Sequence, residues 1–199
     1  GSVVVPYPNL FRLGYGCDPN VSWLPTSLGS SLAAWYKADA GCYTDAACLF
    51  TAASAQDLYR ASEASLRAGD IDFTIVAFVN ATTLTGYPQL FAKGSPVISG
   101  GEFEAFIETA DAKPKFRVRN TADAATSTAA SATPLTSAWA MVECYHNSVA
   151  DLIGVGVNGE VPATAAHSGG VLAASNAFKV GAGGAGVAFN GAQGRIGYW

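Results

Sequence analysis

Gly101-Glu102-Phe103-Glu104-Ala105-Phe106-Ile107-Glu108 places three carboxylates within one strand-length segment. Two such groups flanking a sugar–sugar bond can act as nucleophile and acid/base, so hydrolysis is the first chemistry to weigh here. The physical alternative is cross-strand charge pairing. If the turn at Ala110 to Lys113 joins strands 102–108 and 115–119, a symmetric hairpin sets Glu108 opposite Lys115, Phe106 opposite Arg117 and Glu104 opposite Arg119. Phe103, Ala105, Ile107, Phe116 and Val118 then make the core face, while acids and bases share a solvated face. Each such pair contributes only about 0.2–1 kcal/mol.

Other site chemistry is thinner. His146 and His167 are the only histidines and stand isolated, and the four cysteines include no Cys-x-x-Cys, so neither a zinc site nor any other cofactor is expected. Asp39, Asp45, Asp70 and Asp72 are scattered where calcium needs clustered loop acids. No Gly-x-Ser-x-Gly elbow occurs, and the glycine-rich run from Gly181 to Gly186 lacks the helix and Lys of a phosphate cradle; it reads as a flexible turn between late strands. Trp23, Tyr36, Tyr43 and Tyr87 could stack on sugar rings, with core packing or plain exposure the blander reading of each. Cys17, Cys42, Cys48 and Cys144 allow three fully paired connectivities. Cys42 and Cys48 bracket a short polar loop whose closure by a disulfide would contribute about 2–4 kcal/mol. Cys144 reads either as a small buried hydrophobe or as the partner left for Cys17.

The elements that must position these residues are strands. A chain of 199 residues suits one complete sandwich core, and 13% charged residues with 22 Gly favour sheets joined by tight turns over a helical bundle. Gly69-Asp70 leads into a strand from Asp70 to Asn80, whose run Phe73 to Val79 holds four β-branched residues. Gln89 to Gly94, Trp139 to Tyr145, Val155 to Gly159 and Phe189 to Gly197 read as further strands, and Ser31 to Asp39 as an opening one. Asn158-Gly159 is a hairpin signal, because both central positions of a type I′ turn need positive φ. Thr121 to Ser137 reads as loop plus a small-residue strand before Pro134. Residues 1–30, rich in Pro and Gly around Val3-Val4-Val5, form an extended N-terminal arm; residues 31–199 form the domain. The valine triplet suits strand addition to a neighbour's sheet edge, or pairing within its own subunit.

In this order and at these distances, the strand segments resemble the laminin-G-like branch of the concanavalin A-like lectin and glucanase superfamily, over roughly residues 31 to 199. The resemblance implies an all-β, two-sheet antiparallel jelly-roll sandwich, a fold of adhesion proteins, secreted glycan-binding modules and virus or phage surface proteins. Glucanases of this superfamily carry Glu-x-Asp-x-Glu, or the same with one extra residue. Here Glu104 stands where the Asp should be, the third acid follows four positions later, and Phe106 occupies the catalytic position on a regular strand. The resemblance therefore implies a non-catalytic structural or binding module of a virion or extracellular surface assembly, in contact with other surface proteins, a second copy of itself or a glycan. A secreted carbohydrate-binding lectin module is the alternative, and a divergent glycoside hydrolase the third reading. An outward setting also suits a Cys42–Cys48 bridge.

Charge and hydropathy narrow the partners. The formal net charge is −4 and the eleven Lys and Arg form no run, so no nucleic-acid footprint is expected. No segment has the uniform apolar length of a membrane span, and membrane insertion is not expected. The first residues lack the order of a signal peptide, and Gly1-Ser2 reads as either a cloning remnant or a processed terminus. Asn20-Val21-Ser22 and Asn80-Ala81-Thr82 fit the glycosylation sequon.

Overall fold

The alternation of apolar and polar residues is realised as thirteen strands in a computed structural model, which describes residues 34–36 (backbone only), 47–61 and 68–198, the side chain of Arg195 excepted. In chain order these are β1 (Ala34–Tyr36), β2 (Cys48–Phe50), β3 (Leu58–Arg60), β4 (Phe73–Ala81), β5 (Gln89–Lys93), β6 (Phe103–Ile107), β7 (Pro114–Arg119), β8 (Thr126–Ala130), β9 (Ala140–Asn147), β10 (Leu152–Val157), β11 (Ala163–Ala166), β12 (Phe178–Val180) and β13 (Gly191–Tyr198). They form two antiparallel sheets packed face to face. One runs β1-β13-β4-β9-β10-β11, with β2 pairing β13; the other runs β3-β12-β5-β6-β7-β8.

Period-two burial explains why these segments pair in this way. In β9, Ala140, Val142, Cys144 and His146 face inward while Met141, Glu143, Tyr145 and Asn147 face outward. Between the sheets lies one apolar core that includes Phe73, Phe91, Phe103, Phe116, Phe178 and Tyr198, whose neighbouring rings sit 5.4–6.5 Å apart. Fully burying each such side chain contributes about 1.5–3 kcal/mol. Asn158 and Gly159 take φ of 54° and 79° in the turn between β10 and β11, as a type I′ turn requires. The small-residue strand expected before Pro134 is β8.

The 102–119 hairpin forms with its expected core face, Phe103, Ala105, Ile107, Phe116 and Val118, but in a different register. Glu104 stands opposite Arg117 and Phe106 opposite Lys115, where Arg119 and Arg117 were expected. The turn is the cause: Glu108 N–H donates to the Lys113 carbonyl at 2.8 Å, and Ala112, at φ 55°, closes a loop one residue earlier. A two-residue shift keeps every side chain on its predicted face.

The N-terminal arm, Trp23, Tyr43, Asp39, Asp45, Cys17 and Cys42 lie outside the described residues. No disulfide joins two described residues. Cys144 is a free thiol wholly buried in β9, where burial pushes its pKa well up.

Candidate functional site

The acids singled out in the sequence are covered, not solvated. Glu102 and Glu104 are both 0% exposed, which corrects the expectation of a charged open face. Glu102 forms an ion pair with Lys93 at the β5 end; Lys93 is equally buried and also donates to the Ala174 carbonyl at 3.2 Å. Burial pushes the Glu102 carboxyl up to about 7, opposed by Lys93 and the nearby Asn176. Glu104 accepts from Arg117 at 3.0 Å and from the Ala185 backbone N–H at 2.8 Å. Gln89 completes this cluster with its amide nitrogen 3.3 Å from Glu104 Oε2 and its oxygen accepting from the Gly186 N–H at 2.9 Å.

The glycine-rich run is what covers Glu104. It is a turn between β12 and β13, as expected, but it lies flat on the six-stranded sheet: a Cβ on Gly184 would stand 2.1 Å from Glu104 Oε2, and one on Gly186 1.9 Å from the Tyr87 carbonyl. Only glycine permits this approach. Glu108 alone of the three acids is partly open, paired with Lys115 at 2.7 Å. Tyr87 is exposed beside Phe106, with ring centroids 6.2 Å apart. The three acids therefore fasten strands and loops, and none faces a cleft.

The outer face of the seven-stranded sheet is partly exposed, with Val76 buried at its centre. β4 and β9 pair so that Phe78 stands beside Met141, Val76 beside Glu143 and Thr74 beside Tyr145, all directed outward. Trp139, on the same parity just before β9, is 51% exposed. Its ring lies against the bulge in β13: a Cβ on Gly194 would stand 3.6 Å from Trp139 Cζ3 and 3.5 Å from Phe78 Cβ. Leu49, exposed on β2, extends the row through Ala192 and Asn80. From Trp139 to Tyr145 the face runs about 20 Å, six residues at about 3.3 Å each.

Its far end deepens into a cavity of about 330 Å³ lined by Asp72, Phe73, Thr74, Tyr145, His146 and Asn147. Asp72 Oδ1 accepts from the Ser148 backbone N–H at 2.7 Å and from Ser148 Oγ at 2.8 Å, which hold its carboxyl below the ordinary carboxylate range. Burial, and then the Glu143 charge, push the Tyr145 hydroxyl up, so it stays protonated and able to donate. Glycine again sets the floor: Tyr145 lies over Gly154, where a Cβ would come within 2.3 Å of its ring. Gly154→Ala should therefore tilt Tyr145 out of place at a cost of about 1–3 kcal/mol, read by chemical denaturation. An unchanged midpoint would show that the ring has room to move.

Chemically, the face offers apolar surface at Trp139, Phe78 and Met141, and hydrogen-bonding groups at Asp72, Thr74, Tyr145 and Asn147. Its two carboxylates are poorly placed for hydrolysis. Glu143 pairs with Val76, four residues along β4 from Asp72, which is about 13 Å of strand. Paired glycosidase carboxyl groups stand about 5–9.5 Å apart.

The structure also brings His146 and His167 together, ring centroids 5.7 Å apart, although the sequence showed them isolated. Among the described residues no group of three His, Cys, Asp or Glu side chains could hold a metal ion. Of this face, Asp72 alone was weighed from the sequence, and only as a scattered acid. Trp139, Met141, Glu143 and Tyr145 alternate in the sequence, and that alternation was the available signal.

Neither a protein-family model nor a curated protein matches the sequence. Solved structures do match in fold. The CBM40 of the Ruminococcus gnavus IT-sialidase, bound to α2,3-sialyllactose, has a TM-score of 0.58 at 14% identity, covering 84% of this chain and 91% of that one. Domain 4 of AbnA, a GH43 extracellular arabinanase from Geobacillus stearothermophilus in complex with arabinotriose, has a TM-score of 0.59 at 13% identity, covering 83% and 73%. A point-mutant form of NanB sialidase from Streptococcus pneumoniae has a TM-score of 0.60 at 11% identity, covering 85% of this chain and 26% of that protein. At such identities the likeness shows a shared two-sheet β-sandwich fold.

Proposed function

We propose that the chain is a non-catalytic glycan-binding β-sandwich module that works outside the cell, with the outer face of the seven-stranded sheet as its binding surface. One observation carries this reading: a half-exposed Trp139, with Phe78 and Met141, continues into a polar cavity holding Asp72, Thr74, Tyr145 and Asn147. Sugars present apolar ring faces and hydroxyl edges together, and a surface of aromatic and hydrogen-bonding groups complements both. The fold likeness to modules described with sialyllactose and arabinotriose supports the same reading. Among the described residues no helix is long and apolar enough to cross a membrane.

The finer setting, a laminin-G-like module in a virion or other surface assembly with further surface proteins as partners, rests on the sequence resemblance. A glycan array on the full chain tests the central claim: binding to a defined set of oligosaccharides supports it, and an array with no bound glycan overturns it.

Absence of catalysis is the second half of the proposal. Glu102 and Glu104 are shielded by the 174–176 and 184–186 segments, and Asp72 and Glu143 stand too far apart for paired carboxylate chemistry. Incubation with β-glucans, arabinan or sialylated oligosaccharides should release no reducing sugar. A turnover that vanishes in Glu143→Gln or Glu104→Gln would refute the assignment.

A further inference from the structure

We propose that His146 and His167 form an acid-sensitive latch that releases the Asp72 side of the outer-face site as the pH falls below neutrality. As regulation of that site, the latch rests on the binding reading above.

The two rings stitch together one end of the sandwich. His146 Nδ1 lies 2.7 Å from the Ile71 carbonyl oxygen and His167 Nε2 lies 2.8 Å from the Gly170 carbonyl oxygen. A carbonyl only accepts, so each of these nitrogens carries a proton. The segments so held are themselves joined: Gly69 and Val171 form an isolated bridge, with the Val171 N–H donating to Gly69 at 2.9 Å. A Cβ on Gly170 would stand 2.8 Å from Asp70 Cβ, so the two segments are in direct contact. Asp72, one residue beyond the carbonyl that His146 holds, lines the binding cavity.

Neither ring can take a second proton without disturbing this arrangement. Both are almost wholly buried, and they face each other edge to face. His146 Nε2 is buried with no hydrogen-bond partner. Protonation would turn that nitrogen into a buried donor with no acceptor and put a charge where water cannot reach it. Among the described residues, the acids that act on the pair are Asp70 and Asp72 before β4 and Asp151 in the β9–β10 turn. Asp72 is already committed to Ser148. Asp70 and Asp151 favour the charged form of His167, but desolvation outweighs them and lowers its pKa.

The sign follows from this. The closed state lowers the pKa of the His167 imidazole, whereas an opened segment exposes it to water with its ordinary value of about 6.5. The open state binds more protons, so opening grows as the pH drops below that value, by up to about tenfold per pH unit for each proton taken up. Release of Ile71 then carries Asp72 away from Tyr145 and Asn147.

Hydrogen exchange of the full chain from pH 7.5 to 5, corrected for intrinsic rates, tests the latch without any ligand. The wild type should open at residues 69–73 and 147–151 increasingly with acid while the β5–β6–β7 core stays protected. His146→Asn and His167→Gln keep an amide donor at the position of the donating nitrogen but cannot titrate, so the double variant should stay closed throughout. An equal pH response in wild type and double variant, or none in either, overturns the latch. A glycan array run at pH 7.5 and 5.5 separates the two claims. No glycan bound at pH 7.5 removes the binding reading and leaves the latch to the exchange data. A glycan held equally at both values while the segment opens overturns control of the site.

Discussion

Trp139→Ala should weaken the tightest array glycan by about 2 kcal/mol, roughly thirtyfold in Kd, while leaving the thermal midpoint nearly unchanged. The two effects separate because Trp139 contributes surface and not core: it is half exposed and lies outside the set of residues that fill the sandwich. Tyr59→Ala is the matching control. Tyr59 is 69% exposed on β3, an aromatic of similar openness in the other sheet, and its removal should leave the affinity unaltered. Titration calorimetry on the two variants reads both. Equal losses in the two, or none in the Trp139 variant, would place the glycan elsewhere.

The largest stability effect should come from Lys93. Its ammonium is wholly buried against Glu102, so Lys93→Met leaves a buried carboxyl without its ion-pair partner, at a cost of about 3–5 kcal/mol. Lys93→Met with Glu102→Leu removes both charges and should recover most of that loss, because replacing a buried pair by apolar groups of similar volume is often neutral. Urea unfolding of the three proteins decides it. A double variant as unstable as the single would mean that the pair holds the 174–176 segment by more than its charge.

The same pair gives a pH signature. Glu102 titrates at about 7 in the fold against an ordinary value of 4.5, so the folded state holds its proton more tightly than the unfolded chain does. The stabilisation this provides is complete below 4.5 and is lost as the pH rises through about 7. Glu102→Gln should remove that downward slope. His167, whose folded pKa is lowered, contributes with opposite sign, its stabilisation lost as the pH falls below its ordinary 6.5.

What the sequence determined was local and periodic. Strand identity followed from alternation, as in β9 and in the core face of β6 and β7, because a period of two commits each residue to one side of a sheet before any partner is chosen. The Asn158-Gly159 turn was legible because its backbone angles restrict which residues can stand there. Tertiary structure decided everything that depends on which distant segment lies on top. The hairpin register moved by two residues because Ala112, an ordinary residue in sequence terms, adopts a left-handed conformation. Glu102 and Glu104 looked solvated because the residues that bond to them, Asn176 and Ala185, lie more than seventy positions away and carry no charge to announce the contact. His146 and His167 belong to different elements, so only the closed end of the sandwich sets them ring to ring. The proposed binding face was likewise invisible as a site: Trp139, just before β9, Phe78 on β4 and Gly194 on β13 share a surface only once these three strands lie side by side.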